Sequence, residues 1–155
     1  MERFAIESER LVLRELATAD ISACAEAFCQ AYNNDIWQNH WQTETATGYL
    51  ADICGMPGFF GYVCERDGQV LGAILAREKV WWNAKEVYVE ELFVSPKYQG
   101  GGVGSALLEQ VEKLCREKGL AGVTLSTNRH APAAGFYHSR GYRCNESVIF
   151  LYKVE

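Results

Sequence analysis

The stretch YVEELFVSPKYQGGGVGSALL, residues 88–108, holds two adjacent carboxylates and a proline, followed by four glycines within five positions. Its first half has the apolar run of a buried strand, and its second half has apolar residues at helical spacing. Glycines at such a junction let backbone N–H groups point towards a ligand, and the helix behind them adds the positive end of its dipole. The stretch therefore predicts a strand, an anion-binding turn and a helix, with pyrophosphate as the natural ligand of the turn.

The flanking sequence predicts a mixed sheet covered by helices. Strands are predicted at residues 10–16, 59–65, 70–82, 86–95 and 122–127, and residues 142–154 are expected to close the chain as one strand or a bent pair. Helices are predicted at residues 19–32, 45–53, 103–118 and 130–140. Strands followed by strand–helix alternation predict an α/β fold with a mixed sheet, and the absence of repeats or linkers predicts one domain over residues 1–155.

The composition argues against several classes of protein. Fifteen Lys and Arg residues face twenty Asp and Glu residues, and a net charge of -5 argues against nucleic acid as a partner. No stretch has the length of a membrane span, and residues 1–16 carry no export signal, so we expect a cytoplasmic protein without a membrane partner. The six cysteines lack metal-ligand spacing, and we expect free thiols and no metal.

Two other nucleotide-binding turns do not match QGGGVG. A Walker loop requires a Gly-Lys-Ser/Thr sequence, which is absent here. A dinucleotide-binding fingerprint requires three spaced glycines early in a parallel strand–helix unit, whereas this turn follows antiparallel strands. Neither alternative accounts for the turn.

The segment LFVSPKYQGGGVGSALL resembles the acetyl-CoA-binding motif of the GCN5-related N-acetyltransferases, Arg/Gln-x-x-Gly-x-Gly/Ala, at Gln99, Gly102 and Gly104. The opening SERLVLREL (8–16) and the block APAAGFYHSRGY (131–142) extend the resemblance over nearly the whole chain. The resemblance implies a mostly antiparallel sheet, splayed between two central strands and flanked by helices.

The resemblance also implies acetyl-CoA as the cosubstrate. The pantetheine arm is expected to bond the backbone of Leu92, Phe93 and Val94. The diphosphate is expected on the N–H groups of the turn, which are those of Gln99, Gly100, Gly101, Gly102, Val103, Gly104 and Ser105. Many members of the family hold the pantetheine with an asparagine seven residues before a tyrosine. Here His130 takes that position and Asn128 lies two residues earlier, so these two residues are the candidate clamp, with capping of the following helix as the alternative.

Acetyl transfer to an amine requires a group that takes a proton from the amine and a group that protonates the departing thiolate. Side chains alternate along a strand, so Glu90 and Glu91 are expected on opposite faces and only one of them at the site. YVEELFV resembles the YLEDFFV-type strand of the diamine and polyamine acetyltransferase branch. This resemblance selects Glu90 as the base, which also contacts the acceptor, and leaves Glu91 as a salt-bridge partner. Tyr137, in FYHSRGY, takes the position of the general acid.

The acceptor region is predicted between the first two helices. Trp37 and Trp41, with carboxylates nearby, suit a cationic amine through cation–π contacts, although packing in the core explains them equally well. The predicted acceptor is a diamine, a polyamine or a thialysine-like amine. Three alternatives remain open: an aminoglycoside acceptor, protein N-termini as acceptors, and a non-catalytic CoA-binding sensor. Cysteine-based acyl transfer is disfavoured because no cysteine lies in the motif strand. Dimerisation is frequent in the family that the sequence resembles, so a homodimer is one assembly that the resemblance allows.

Overall fold

The computed structural model describes residues 11–155, and it contains a five-stranded sheet whose strands follow one another in chain order. The strands are β1 (Leu11–Glu15), β2 (Phe59–Arg66), β3 (Gln69–Trp81), β4 (Ala84–Val94) and β5 (Val123–Leu125). Neighbours from β1 to β4 are antiparallel, and β5 joins β4 in parallel. The predicted mixed, mostly antiparallel sheet is confirmed. The beginning of the SERLVLREL opening, residues 8–10, lies outside the described residues.

Four helices flank the sheet: α1 (Ile21–Tyr32), α2 (Thr43–Cys54), α3 (Val103–Glu117) and α4 (Pro132–Ser139). In α3 the buried residues recur at steps of four, at Val103, Leu107, Val111 and Cys115, and this stripe turns one face of the helix to the sheet. The four predicted helices are thus present, with ends that differ by a few residues. Among residues 11–155, no helix combines the length and the apolar character that crossing a membrane requires.

The sheet carries an apolar core on each face. The strand β3 shows this directly, because Ala73 and Leu75 belong to the core beneath α1 and α2, whereas Ile74 and Ala76 belong to the core beneath α3 and α4. A strand buried on both faces needs a continuous apolar run rather than an alternating one. The sequence VLGAILA in β3 has that composition.

The strand β4 has two unlike halves. Its first half pairs with β3 on one side and, at Val87–Val89, with β5 on the other. From Glu91 to Val94 it pairs with β3 alone among the described strands. An opening therefore lies between this half of β4 and the chain that follows β5. The register with β3 shifts at the same place, since Leu75 lies opposite Glu91 and Ala76 lies opposite Val89, which leaves Glu90 as the extra residue of a bulge.

The prediction of a final strand at residues 142–154 is wrong for this structure. No residue after α4 is assigned to a strand, and the apolar side chains from Val148 to Val154 are 68 to 88% exposed. The segment has the composition of a strand, but strand formation also requires a neighbouring edge, and this segment pairs with none of the strands in residues 11–155.

Candidate active site

A cleft opens where β4 and β5 part. Residues from β4, from the end of β5 and the segment after it, from α1 and the loop after it, and from α4 meet there. The lining consists of Tyr32, Trp37, Val89, Glu90, Glu91, Leu92, Leu125, Ser126, Thr127, Ala133 and Tyr137. Three side chains that the sequence predicts for the reaction, Glu90, Tyr137 and Trp37, therefore lie around one cavity.

Both glutamates line this cleft, which differs from the expectation that strand alternation separates them. The physical reason is the bulge at Glu90, because an extra residue in one strand interrupts the strict alternation of side chains. Among residues 11–155, Glu91 forms no ion pair, which differs from the salt-bridge role predicted for it. Glu90 forms the ion pair, since Nε of Arg77 donates to Glu90 Oε1 at 2.9 Å.

Glu91 accepts two phenolic hydrogen bonds. Tyr49 Oη donates to Glu91 Oε1 at 2.7 Å, and Tyr32 Oη donates to Glu91 Oε2 at 3.1 Å. Burial raises the pKa of the Glu91 carboxyl, the neighbouring charge of Glu90 raises it further, and the two tyrosine bonds act in the opposite direction. Burial also raises the pKa values of Tyr32 and Tyr49, so both phenols stay protonated and donate to the carboxylate.

Tyr137 lies on α4 with 8% of its surface exposed, packed against the rings of Phe136 and Tyr142. Burial and, to a lesser degree, the negative charge of Glu91 raise the pKa of Tyr137 to about 12. Its hydroxyl makes no hydrogen bond to any residue within 11–155. The side chain is therefore a protonated donor at neutral pH whose proton is available to a ligand in the cleft.

The glycine turn has the backbone that an anion site requires. Gly100 and Gly102 have φ values of 82° and 87°, and Gly102 directly precedes α3. Side chains are disfavoured at such φ values, although a Cβ at either position would meet no atom within 4 Å. The first N–H groups of α3 have no acceptor inside the helix. The N–H of Gln99 is already bonded to the Pro96 carbonyl at 3.3 Å, so the free donors begin after it.

Two side chains contact backbone carbonyls along the open edge of β4. Gln99 Nε2 donates to the Val94 carbonyl at 3.0 Å, and Tyr32 Oη lies 3.3 Å from the Leu92 carbonyl. These two contacts engage the carbonyls of Leu92 and Val94, and no strand within residues 11–155 covers this edge. Both the side chain and the backbone N–H of Gln99 are thus bonded within the chain, so the N–H predicted to bind the diphosphate already has an acceptor.

Arg140 was not singled out from the sequence. Its guanidinium donates to Ser105 Oγ in the first turn of α3 and lies over the Phe136 ring at 5.0 Å. This contact brings a cation to the glycine turn, where an anionic group would be bound. The sequence around Arg140 does not indicate this contact, because Arg140 and Ser105 are 35 positions apart in the chain.

The predicted clamp residues lie outside the cleft lining. Asn128 Oδ1 accepts a hydrogen bond from the His130 N–H at 2.8 Å, and both residues are exposed. The amide of Asn128 therefore stabilises its own loop, and its side chain does not cap α4, whose preceding residue is Ala131. Ser126 and Thr127 line the cleft in this region instead.

The two predicted acceptor tryptophans have different environments. Trp37 lines the cleft and meets the Tyr32 ring edge-on at 5.1 Å. Trp41 stacks on Tyr49 at 5.3 Å and meets Phe28 edge-on at 5.0 Å, which makes it part of the core beneath α1 and α2. Within residues 11–155, no group of three His, Cys, Asp or Glu side chains is placed to hold a metal ion.

Comparisons with known proteins agree on one family. Residues 22–142 match the acetyltransferase (GNAT) family. An uncharacterised protein of Bacillus subtilis, YxbD, is 32% identical over 121 residues, which cover 77% of this chain and 70% of that protein. The thialysine N-ε-acetyltransferase of Bos taurus is 31% identical over 45 residues, which span 29% of this chain and about a quarter (26%) of the enzyme. The structure of an aminoglycoside N-acetyltransferase, AAC(6′)-Iy, in complex with CoA has a TM-score of 0.71 at 19% identity, covering 92% of this chain and 94% of that one, which shows the shared fold.

Proposed function

We propose that this chain, which belongs to the acetyltransferase (GNAT) family, transfers the acetyl group of acetyl-CoA to a primary amine of a small cationic acceptor. Membership of the family makes it an acetyl-CoA-dependent N-acetyltransferase, and the choice of acceptor is the part that we propose. One observation carries the proposal: two carboxylates and a protonated tyrosine, whose hydroxyl is free among the described residues, line one cleft.

The residues at the cleft fit acetyl-CoA. The half of β4 from Glu90 to Val94 faces an opening instead of a strand, and an extended arm with amide groups suits such an edge. The N–H groups from Gly100 to Ser105 and the guanidinium of Arg140 suit the diphosphate. Leu92, Phe93, Val94 and this turn would hold the cosubstrate, which supplies the activated acetyl group.

The side chains then divide the proton transfers between them. Glu90 takes the proton from the attacking amine, and its ion pair with Arg77 holds the carboxylate in place. Tyr137 donates its proton to the departing thiolate, which its raised pKa allows because the phenol remains protonated at neutral pH. Glu91 adds a second negative charge one residue further on, and Trp37 adds an aromatic face. These charges favour an acceptor with more than one ammonium group, such as a diamine, a polyamine or a thialysine-like amine.

An aminoglycoside is the second candidate acceptor, and one observation favours it. The loop after α1 surrounds an open cavity of about 610 Å³ whose lining is rich in amides: Asn33, Asn34, Asp35, Gln38, Asn39, His40, Trp41 and Gln42. Trp37, which lines the cleft, belongs to the same loop. Amide groups of this kind suit the hydroxyls of an aminosugar better than they suit an aliphatic polyamine.

The test is a panel of amines incubated with the protein and acetyl-CoA, with the acetylated product identified by mass spectrometry. Diamines, polyamines and thialysine form one group, aminoglycosides a second, and peptides with free N-termini a third. Acetylation within the first group supports the proposal, and acetylation of aminoglycosides alone supports the second candidate. Tight CoA binding without any product would contradict both and favour a CoA-binding sensor.

A further inference from the structure

Three of the six cysteines lie on the helix pair formed by α1 and α2. Cys24 and Cys29 belong to α1, and Cys54 is the last residue of α2. All three are free thiols, and the acetyl transfer proposed above uses none of them. Cys24 is part of the core beneath these helices and Cys54 packs against the same core, although the two residues are 30 positions apart in the chain.

The two helices run in opposite directions. They pack side by side on one face of the sheet and are joined by residues 33–42. Asn33 and Trp41, near the two ends of this loop, share two hydrogen bonds of 2.8 and 2.7 Å between the side chain of Asn33 and the backbone of Trp41. The end of α1 therefore lies beside the start of α2, so the start of α1 lies beside the end of α2.

This arrangement brings Cys24 and Cys54 to the same level of the helix pair. Midway along the pair, the rings of Phe28 and Tyr49 lie 5.8 Å apart. Cys24 is about one helical turn before Phe28, and Cys54 is a little more than one turn after Tyr49. Equal steps in opposite directions from one contact lead to residues that again face each other, so both thiols lie at the end of the pair that is far from the loop.

The helices approach closely enough for a bond between these thiols. Ala31 of α1 and Ala46 of α2 are both buried in the shared core, and small side chains allow helix axes to come together. At axis separations of about 8 to 10 Å, facing Cα atoms are about 4 to 6 Å apart, and a disulfide requires about 4.4 to 6.8 Å. The pKa of Cys24 is raised to about 12, mainly by burial and to a lesser degree by the charges of Asp20 and Cys54, so the two thiols lie within electrostatic range of each other.

The two thiols differ in their access to solvent. Cys54 is half-buried at the end of its helix, whereas Cys24 is only 1% exposed. Within residues 11–155 neither sulfur makes a hydrogen bond, whereas the sulfur of Cys29 lies 4.0 Å from the Trp41 carbonyl. A dissolved oxidant can therefore reach Cys54 first, and Cys24 is placed to react with Cys54 rather than with the oxidant.

We propose that Cys24 and Cys54 form a reversible disulfide that fastens the start of α1 to the end of α2, with a small disulfide such as oxidised glutathione as the oxidant. The Cys54 thiolate attacks one sulfur of the small disulfide, forms a mixed disulfide and releases one small thiol. The Cys24 thiolate then attacks the Cys54 sulfur, and the second small thiol leaves with the proton that Cys24 has lost. Two protein thiols are oxidised and one small disulfide is reduced to two thiols. Because burial raises the pKa of both cysteines and only thiolates react, we expect the reaction to take hours.

The disulfide would join the two helices that hold Glu91. Tyr32 of α1 and Tyr49 of α2 both donate hydrogen bonds to the Glu91 carboxylate, so a covalent link between the helices restrains this side of the cleft. A link between residues 30 positions apart also removes conformational freedom from the unfolded chain. The inference concerns these thiols alone and does not depend on which amine is the acceptor or on whether the chain acetylates it.

The first test identifies the linked residues. The folded protein is incubated with oxidised glutathione for a day, remaining thiols are alkylated, and the protein is digested without reduction for mass spectrometry. The digestion combines cleavage after acidic and after aromatic residues, because no lysine or arginine lies between Arg14 and Arg66 and trypsin would leave four cysteines in one peptide. We expect a peptide pair joined through Cys24 and Cys54, which dithiothreitol separates. No link, a link between other cysteines, or glutathione that remains on Cys54 would overturn the proposal.

The second test measures the melting temperature of each protein with and without prior oxidation. Oxidised wild type should melt about 5 to 10 °C above the reduced protein, as a disulfide that closes a loop of this length predicts. Cys54→Ser should show no such shift, whereas Cys29→Ser, the matched control on α1, should keep it. A linked protein that melts no higher than the reduced one would show that the bond distorts the helix pair, and a shift that persists in Cys54→Ser would show that another pair of thiols is responsible; either result contradicts the proposal.

Discussion

The two walls of the cleft are built in different ways. The proposed cofactor wall, formed by Leu92–Val94 and the turn Gly100–Ser105, is mainly backbone, and it is contained in one continuous stretch of sequence. The proposed acceptor wall, formed by Tyr32, Trp37, Tyr49, Glu90 and Glu91, is made of side chains from two helices, a loop and a strand. A backbone site is encoded locally, whereas a side-chain site depends on how distant elements pack. Substitutions on the two walls should therefore have different effects on catalysis, binding and stability.

The largest effect is expected from Tyr137→Phe, between the two walls. Removing one hydroxyl removes the proton donor to the thiolate, and general acids typically contribute about 10²- to 10⁴-fold. We expect kcat to fall by about 10²-fold or more while the KM values change little, as measured by product formation. Tyr142→Phe is the control, because the Tyr142 hydroxyl donates to Glu112 at 3.0 Å outside the cleft. Equal losses in both variants would point to packing rather than acid catalysis.

The acceptor wall is tested by Glu90→Gln and Glu91→Gln. Glu90→Gln removes the proposed base and should lower kcat by about 10- to 100-fold. Glu91→Gln keeps hydrogen-bond acceptance from Tyr49 but removes a charge, so it should mainly raise the KM of a cationic acceptor. Steady-state kinetics on both variants distinguishes the roles. A loss of kcat in Glu91→Gln alone would identify Glu91 as the base instead of Glu90.

On the cofactor wall, Arg140→Ala should weaken binding of acetyl-CoA by about 3- to 10-fold, as expected for the loss of one partly exposed charge-assisted contact. The guanidinium contacts Ser105 at the turn, so the KM for the amine should not change. Calorimetric titration with CoA measures the effect. Arg143→Ala, at an exposed position three residues further on, serves as the control. A loss of amine affinity in Arg140→Ala would place this residue on the acceptor wall.

The backbone character of the cofactor wall is tested by Gly102→Ala. At a φ of 87° an alanine is strained by about 1 to 2 kcal/mol, although its Cβ meets no atom within 4 Å. The melting temperature should fall by a few degrees for a chain of this length. Gly135→Ala inside α4 also meets no atom within 4 Å, lacks the positive φ, and should be neutral or stabilising. If the two variants melt alike, the turn does not require its left-handed backbone.

The smallest expected effect concerns the pH dependence of stability. Burial raises the pKa of Glu91 above its ordinary value of 4.5, so the folded state holds this proton to a higher pH than the unfolded chain does. Ionisation of Glu91 therefore costs stability: the cost is absent below pH 4.5 and complete above the raised pKa. Relative to Glu91→Gln, the wild type should lose stability as the pH rises through that window, in urea titrations. Glu26→Gln, at an exposed position on α1, is the control for the substitution itself.

Most of the fold was predictable because its elements have strong local periodicity. The buried stripe of α3 and the apolar run of β3 are visible in the letters of the sequence. The final strand, at residues 142–154, was predicted from its composition and is absent. A strand also needs a neighbouring strand with free backbone N–H and C=O groups, and composition does not provide one. In the site, Tyr137 and Trp37 reach the cleft as predicted, whereas Asn128 and His130 do not line it.

The sequence alone determined the family, the order of the elements and the glycine turn, because these depend on residues that are close together in the chain. The tertiary structure decided which of two adjacent glutamates is paired with Arg77 and which is held by tyrosines. The bulge that brings both glutamates to one cleft is a property of the register between β3 and β4, and the tyrosines come from positions 42 and 59 residues away. Contacts of that separation follow from packing, and no local pattern encodes them.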